Sequence, residues 1–467
     1  MFEKIFKLSE NKVTVKTEVI SGIITFLTMS YIIFVQPAVL SGVMFNFQTG
    51  MDFGALTSAT CLSAAIASFL MGVYANYPIS LAPGMGENFF FVFTAIPAAA
   101  AAGFVNVWQT ALGVVFISGI IFFIISLADV RNVIFNTISP SLKNGIAVGI
   151  GLFIAFIGLQ NSTIIIKDPG TTVKLNPHFN SPDIIVFYFG LFITAALYVR
   201  RIKGAILWGI ICSTAFAVLL KMIFVEINAF STNKIIAESM LMKWFVIADS
   251  IFSAPPSLGP LFLKMDLKAA LSAAMFPMII IFLFMDIFDT MGTVVGVSEQ
   301  AGFIKDNKLP RIKRVFMADA VGTLVGAVFG TSTVTSYIES CAGIEHGGRT
   351  GLTAVTVSLL FIIALFFTPI IKMVGSYPVI TAPSLVIVGS LMIRNILKIQ
   401  WDDFSELFPA FLAMIGIPLS YSIADGLAIG FICYPLIKLF GGKSKEVPIM
   451  MYVLCLVFIF YFIMFRG

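Results

Sequence analysis

Apolar stretches long enough to cross a lipid bilayer recur along the whole of this 467-residue chain. A spanning helix needs ~20 mainly apolar residues, and on this criterion the chain holds about fourteen crossings. Charged residues make up 11% of the sequence, whereas soluble domains carry roughly a quarter. The longest mainly polar stretch, residues 161–183, is no larger than a loop. We therefore predict an all-α polytopic membrane protein whose main solvent is the lipid bilayer.

The pattern of reactive residues argues against an enzyme. The five cysteines show no C-x-x-C spacing, so neither a zinc site nor a thioredoxin-type site is indicated. Only two histidines are present, and no nucleophile–base pair or cofactor motif lies within an apolar run. A receptor or channel is disfavoured because no sensing domain or pore-ring pattern is evident. We expect no catalytic site, no metal and no cofactor.

Basic residues cluster between the apolar runs, at 4–16, 200–203, 305–314 and 438–445. With the crossings counted above, all four clusters fall on one side of the membrane, which the positive-inside rule makes the cytoplasm. The amino terminus is then cytoplasmic, and the chain is a multi-pass protein of the plasma (inner) membrane. The net charge of +5 follows these loops and does not indicate a nucleic-acid partner.

Two predicted crossings are interrupted, the third at 79–95 and the tenth at 331–344. Pro83 and Gly84 break the first, and a run of threonines and serines breaks the second. They occupy matching places in the two halves, and Asn88 and Glu339, each just past a break, are 251 positions apart. Because each half has an odd number of crossings, the halves have opposite topology. Paired broken segments in inverted repeats indicate a transporter binding site.

Acidic side chains stand where lipid is expected. Asp286 and Asp289 interrupt the eighth crossing at i,i+3 spacing, which places both on one helix face, and Glu339 follows the tenth-segment break. Each such group costs ~2.5–3.5 kcal/mol at membrane depth, so each should face a polar cavity or partner. They either hold the bundle together by hydrogen bonds or bind substrate and a proton, since a buried carboxyl can cycle between charged and neutral forms.

Two neighbouring residues complete the candidate site. Asn88 offers one hydrogen-bond acceptor and two donors, although it could instead cap a helix. Phe89 is a candidate to stack on an aromatic ring, although simple core packing is the alternative. Substrate-binding candidates are therefore Asn88, Phe89, Asp286, Asp289 and Glu339, and the three acids are also the proton-coupling candidates.

Several of these stretches carry a family resemblance. They are residues 82–90, residues 286–293 and, as the longest, the run 330–351 from Gly330-Thr331-Ser332-Thr333 to Gly347-Gly348-Arg349-Thr350-Gly351. On them the chain resembles the nucleobase–cation symporters, the superfamily of xanthine and uracil permeases, and most closely the hypoxanthine/adenine/guanine permease branch. The likeness extends over nearly the whole chain. Glu87 departs from it, because the branch usually has an apolar residue there.

The resemblance implies fourteen segments in two inverted repeats of seven, with short antiparallel strands in the broken third and tenth. It implies a core domain, formed by residues 1–130 and 266–376, that holds the substrate. A gate domain, formed by residues 131–265 and 377–467, flanks the core and could form a homodimer contact. It also implies that Asn88, Glu339 and one of Asp286 and Asp289 touch the base.

The resulting hypothesis is proton-coupled uptake of purine nucleobases by alternating access. The alternative is an anion transporter of the same fold, for sulfate or bicarbonate, whose site would use helix N-termini and a positive residue instead of three carboxylates. One apolar stretch, residues 447–465, is left over; it could cross the membrane, lie in the interface or pack along the bundle.

Overall fold

The computed structural model describes residues 2–45, 47–128, 138–228, 233–303 and 311–466, and helices dominate it. The helices of the amino-terminal half are α1 Phe2–Phe6, α2 Val15–Met29, α3 Ile32–Leu40, α4 Phe53–Leu70, α5 Met85–Phe90, α6 Ile96–Ala101, α7 Val107–Ala128, α8 Pro140–Asn161, α9 Pro182–Val199, α10 Ala205–Glu226, α11 Lys234–Glu238 and α12 Met240–Lys243. Those that follow are α13 Leu267–Ala270, α14 Phe276–Gln300, α15 Ile312–Phe329, α16 Ser340–Glu345, α17 Gly351–Ala364, α18 Thr368–Gly375, α19 Ala382–Met392, α20 Phe404–Ser420, α21 Ile423–Phe440 and α22 Ile449–Arg466. The strands are β1 Leu81–Pro83, β2 Ile165–Asp168, β3 Thr172–Leu175 and β4 Val334–Ser336.

Within the described ranges, ten helical stretches are long and apolar enough to cross a bilayer. Three further apolar helices are shorter, namely Met85–Ala101, Phe404–Ser420 and Ile449–Phe460. The predicted class, a polytopic α-helical membrane fold with a few short strands, is confirmed. The count of fourteen segments stays a prediction, because length and composition alone single out only the ten.

The two interrupted segments meet as an antiparallel strand pair. Leu81 lies opposite Ser336, and Pro83 lies opposite Val334. The predicted bounds of the third segment, 79–95, imply a helix from residue 79. This is wrong, because the helical part begins at Met85 and runs to Ala101. Pro83 and Gly84 account for this shift, because proline has no backbone N–H and glycine favours the break before a helix.

Helix side chains satisfy the outer edges of this two-stranded sheet. Ser68 of α4 exchanges hydrogen bonds with the backbone of Leu81, at 3.0 Å and 2.9 Å. Thr323 of α15 donates to the carbonyl oxygen of Val334 at 3.1 Å. Irregular backbone at membrane depth is stable only where protein or a water-lined cavity satisfies its polar groups. These hydroxyls therefore explain how short strands persist among spanning helices.

Two glycines permit close packing of the backbone. Gly330 ends α15 with a φ of 101°, a left-handed conformation that favours glycine. Gly351 begins α17 where a Cβ atom would lie 1.8 Å from the carbonyl oxygen of Gly72. The close crossing of these two backbones therefore requires the absence of a side chain at position 351.

Two segments that the sequence leaves open are now defined. The polar stretch after α8 contains a β-hairpin in which Ile165 pairs with Leu175. The leftover apolar tail is the helix α22, which packs along α21, where the rings of Phe431 and Phe458 have centroids 5.0 Å apart. The tail packs along the bundle, and its crossing of the membrane stays a prediction.

Helix packing follows two sets of neighbours. In one set, α15 packs on α4 and α7, and α17 packs on α2 and α4. In the other, α8 packs on α19 and α20, α20 packs on α21, and α9 packs on α10. The division into a core domain (1–130 and 266–376) and a gate domain (131–265 and 377–467) stays a prediction, and those names are used below for these ranges.

A buried carboxylate ties α2 to α17. Glu18 is fully buried and accepts hydrogen bonds from the backbone N–H of Arg349 at 2.8 Å and from the hydroxyl of Thr353 at 2.6 Å. We expect Glu18→Gln to lower the free energy of unfolding by about 1.5–3 kcal/mol, the range for hydrogen bonds to a charged group. Thermal unfolding of the purified protein in detergent measures this loss. Glu10→Gln, at an exposed ion pair with Lys7, is the control and should change stability by less than about 0.5 kcal/mol.

Candidate functional site

The strand pair brings the starts of two half-helices to one place. Asn88 lies in α5, five positions after β1 ends, and Glu339 lies three positions after β4 ends, just before α16. Tyr337 joins the two segments, because its hydroxyl donates to the carbonyl oxygen of Pro83 at 2.6 Å. The chain therefore assembles this region from residues about 250 positions apart.

The two aspartates of α14 have different surroundings. Asp286 is 1% exposed, and its Oδ2 accepts a hydrogen bond from the hydroxyl of Thr323 at 2.8 Å. Its other oxygen, Oδ1, is buried and has no hydrogen-bond partner within the described residues. Asp289, one turn further, is exposed. Asp286 thus faces the packed interior, and Asp289 faces accessible space.

A further acid, Asp319 of α15, belongs to the same region and was missed at the level of sequence. It is fully buried and accepts hydrogen bonds from the hydroxyls of Thr290 at 2.7 Å and Ser336 at 2.9 Å. The signal was available, since Asp319 is an acid inside the predicted ninth crossing, residues 315–330. Because it lies only five residues after Arg314, the sequence suggests that it belongs to the charged end of the segment, outside the membrane.

The acids form one electrostatic cluster, here called the acid cluster. Its members are Glu87, Asp286, Asp289, Asp319 and Glu339. Asp286 is repelled by Asp319 and by Glu87, and Asp289 repels both Glu87 and Glu339. Glu87 is 2% exposed, and its Oε2 occupies the space that a Cβ atom on Gly84 would need. Like charges this close at membrane depth cannot all be ionised together without a large cost. The acid cluster is therefore suited to holding protons.

One side of the acid cluster is accessible. Glu339 is partly exposed, and its Oε1 accepts a hydrogen bond from the hydroxyl of Tyr31 at 3.0 Å. The neighbouring Ile338 is 51% exposed. Gly292, one turn beyond Asp289, has open space beside it, with no atom within 4 Å of an added Cβ. Asp289 and Glu339 can therefore be reached by a small molecule from this side.

Asn88 carries an unused hydrogen-bonding group. Its side chain is fully buried, and its Oδ1 accepts a hydrogen bond from the hydroxyl of Ser332 in the other broken segment. Its Nδ2 is buried and has no partner within the described residues. If the amide is turned over, the unpaired atom becomes the oxygen instead of the nitrogen. Either way, one polar atom is free for a ligand, and leaving it unpaired costs free energy.

Phe89 lies in an aromatic cluster. It is fully buried and is nearly parallel to Phe93, with centroids 6.3 Å apart. The rings of Phe45 and Phe153 also contact it, with centroids 6.1 Å and 6.0 Å away. Tyr421, at the turn between α20 and α21, packs edge-on against Phe93 and Phe153. The stacking role of Phe89 stays a prediction, and in this conformation its neighbouring rings cover it.

The arrangement is chemically specific. Carboxylates accept hydrogen bonds, protonated carboxyls donate them, and the Asn88 amide adds one free polar atom. Within the described residues, no group of three or more His, Cys, Asp or Glu side chains could hold a metal ion. The arrangement suits a small, neutral, polar ligand with N–H donors.

Comparison with known proteins identifies the class as a membrane permease. The model of the Permease family, that of the xanthine and uracil permeases, matches residues 16–429. The chain is 41% identical over 463 residues to the guanine/hypoxanthine permease PbuG of Bacillus subtilis, covering 98% of each protein. It is 36% identical over 463 residues to the adenine permease AdeP of Escherichia coli, covering 98% of this chain and 95% of that one.

This chain therefore belongs to the Permease family, and the resemblance to the hypoxanthine/adenine/guanine permease branch is confirmed. Its relatives are transporters and not enzymes. Among solved structures, the transmembrane domain of a cyanobacterium bicarbonate transporter, BicA, matches with a TM-score of 0.62 at 13% identity. The match covers 89% of this chain and 97% of that one, and at this identity it concerns the fold alone.

Proposed function

We propose that this permease takes up purine nucleobases together with protons across the plasma membrane. The observation that carries the proposal is the acid cluster, together with the unpaired Nδ2 of Asn88 where the two broken segments meet. The names of the relatives support the substrate class, since PbuG is a guanine/hypoxanthine permease and AdeP an adenine permease.

Recognition of the base follows from the polar groups beside the strand pair. A purine has ring and exocyclic N–H donors, and these would donate to the carboxylates of Asp289 and Glu339. The unpaired Nδ2 of Asn88 would donate to a ring nitrogen or a carbonyl oxygen of the base. Such a site discriminates strongly, because a ligand lacking the matching group leaves buried polar atoms unpaired.

Coupling follows from the buried acids. Asp286 and Asp319 are inaccessible, and hydroxyl groups on α15, α14 and the tenth segment hold them in place. A proton taken up with the base would lower the repulsion within the acid cluster and allow the loaded site to change its exposure. The core domain would then move against the gate domain, as in other transporters built from inverted repeats. The amino terminus would be cytoplasmic, and the gate domain could form a homodimer.

The alternative, an anion transporter for sulfate or bicarbonate, has only the fold in its favour. An anion would meet the repulsion of the acid cluster instead of a positive partner. We therefore expect neither sulfate nor bicarbonate to compete with purine uptake.

The decisive experiment is uptake by a strain that lacks its own nucleobase permeases. Labelled adenine, guanine, hypoxanthine and uracil are supplied with and without an uncoupler. We expect accumulation of at least one purine, loss of that accumulation with the uncoupler, and no effect of excess sulfate. Uptake that persists fully after uncoupling would rule out proton coupling, and competition by sulfate would favour the anion reading.

A prediction concerns the free amide. We expect Asn88→Ala to raise the KM for the transported purine about tenfold or more, because one buried hydrogen bond to the ligand is lost. Initial uptake rates over a range of concentrations measure this change. Asn395→Ala is the matched control: its amide donates to the carbonyl oxygen of Met392 outside the acid cluster. Its KM should equal that of the wild type, and an unchanged KM in Asn88→Ala would remove Asn88 from the binding site.

A further inference from the structure

Two covalent linkers join the core and gate domains within the described residues. The first linker, residues 240–266, leads from α12 towards α13, and the second, residues 375–381, leads from α18 to α19. Any movement of one domain against the other must be absorbed in these linkers or in residues 129–137, which lie outside the described ranges. Contacts that hold the linkers therefore decide where the chain can bend.

Both linkers converge on one buried carboxylate, Asp183 in the first turn of α9. Its Oδ2 accepts a hydrogen bond from the backbone N–H of Met240 at 2.9 Å. Its Oδ1 accepts one from the N–H of Leu241 at 3.0 Å and one from the hydroxyl of Tyr377 at 2.7 Å. Asp183 is 3% exposed, so these bonds are shielded from water.

Packing around Asp183 makes the junction dense on the gate side. Leu241, Phe245 and Tyr377 are all buried, and the rings of Phe245 and Tyr377 have centroids 5.3 Å apart. Lys221 of α10 donates to the carbonyl oxygen of Phe245. The backbone N–H of Val246 donates to the hydroxyl of Ser376 at 3.2 Å, so the two linkers also touch each other.

The far end of the first linker is fastened to the core domain. Four hydrogen bonds hold it. Three are donated by backbone N–H groups of the linker: Ser253 to the carbonyl oxygen of Phe366 at 2.9 Å, Leu263 to that of Val328 at 2.9 Å, and Asp266 to that of Gln109 at 2.8 Å. In the fourth, the hydroxyl of Ser58 donates to the carbonyl oxygen of Pro256 in the linker at 2.7 Å. Residues 246–252 lie between the two fastened ends and are exposed apart from the half-buried Ala248. The backbone N–H of Ala248 donates to Sδ of Met373 at 3.4 Å, and the rings of Phe252 and Phe367 have centroids 4.7 Å apart. In this short stretch the first linker therefore passes from contacts on the gate side to contacts on the core side.

From this geometry we propose that Asp183 is a positioning residue for transport, which clamps both linkers to the gate domain. This inference rests on the proposed core–gate movement. With the clamp in place, residues 240–245 stay fixed to the gate domain, so the first linker bends beyond them and the gate domain turns about a fixed point near Tyr377. Without it, residues 240–245 come loose and the movement loses its direction.

The test compares Asp183→Asn with the wild type, using uptake rates divided by the amount of folded protein in the membrane. In the variant the amide NH₂ group faces the backbone N–H of Met240 or that of Leu241, so at least one bond is lost. We expect a maximal rate about tenfold lower, the factor for one hydrogen bond to a charged group, and a KM within about twofold of the wild type. Tyr377→Phe, which keeps the ring and removes one bond, should lower the maximal rate about threefold.

Glu18→Gln is the matched control, because Glu18 is a buried carboxylate whose partners all lie within the core domain. It should reduce the amount of folded protein and leave the rate per folded copy unchanged. If Asp183→Asn behaves in the same way, or if it raises KM with an unchanged maximal rate, the inference is overturned. Hydrogen exchange on the purified protein is a measurement that needs no substrate. The backbone amides of residues 240–245 should exchange faster in Asp183→Asn than in the wild type. Failure of the wild type to carry purines would overturn the proposed function instead.

Discussion

Glu339→Gln is expected to abolish concentrative uptake of hypoxanthine or adenine, with accumulation falling at least about a hundredfold. The substitution keeps the size of the side chain and removes its charge and its ability to carry a proton. Glutamine can still accept the hydrogen bond that the Tyr31 hydroxyl gives to Glu339, so the fold should be retained. The loss then comes from ligand binding, which depends on a charge-assisted hydrogen bond, and from coupling, which depends on a group that can take up a proton.

The measurement is steady-state accumulation of the labelled base in the permease-deficient strain. Glu345→Gln is the matched control, because Glu345 lies six positions further along and forms an exposed ion pair with Lys203 at 2.9 Å. Exposed pairs contribute little, so this variant should accumulate the base like the wild type. Wild-type accumulation by Glu339→Gln would remove Glu339 from the mechanism.

Asp289→Asn and Asp286→Asn are expected to fail in different ways. Asp289 is exposed beside open space, whereas Asp286 is buried against Thr323. Asp289→Asn should therefore weaken purine binding by about a hundredfold, because a charge-assisted hydrogen bond to the ligand is lost. Asp286→Asn should bind the base within about threefold of the wild type and yet fail to accumulate it.

Equilibrium binding of labelled base to purified protein, measured beside uptake in cells, separates the two outcomes. Binding isolates the contact with the ligand, and uptake also requires coupling. Thr323→Val is a comparison for Asp286, because it removes the hydroxyl that holds the carboxyl and leaves the charge in place. It also removes the hydrogen bonds between Thr323 and the backbone of Val334, so the amount of folded protein is measured beside it. If Asp286→Asn lost binding and Asp289→Asn retained it, the roles of the two aspartates would be reversed.

The sequence predicts the helical membrane fold and the place of the broken segments, because both depend on local composition. Pro83 and Gly84 mark one interruption, and the run of threonines and serines marks the other. The pairing of β1 with β4 came from the family resemblance, since no local rule brings residues 81 and 336 together. The predicted start of the third segment, residue 79, was too early, because the apolar run continues across the break and the helical part begins only at Met85.

The site was harder to predict than the fold. The i,i+3 spacing puts Asp286 and Asp289 on one helix face, yet only the packing of α15 shows that one is enclosed and the other open. Asp319 and Asp183 lie near segment ends, where acids are ordinary, and their importance depends on partners far away in sequence. Thr290 and Tyr377 are such partners, and hydroxyl residues within apolar runs carry no signal of their own.

The edge-to-edge contact of Leu81–Pro83 with Val334–Ser336 also bears on biosynthesis. When the first of these stretches enters the membrane, more than half of the protein has yet to be made. Its backbone N–H and C=O groups must then form hydrogen bonds with water, with the translocation machinery or with Ser68, because lipid provides no hydrogen-bond partners. Closure of so distant a contact is intrinsically slow. Completion of the strand pair should therefore be a late event, and an amino-terminal fragment made alone would lack it.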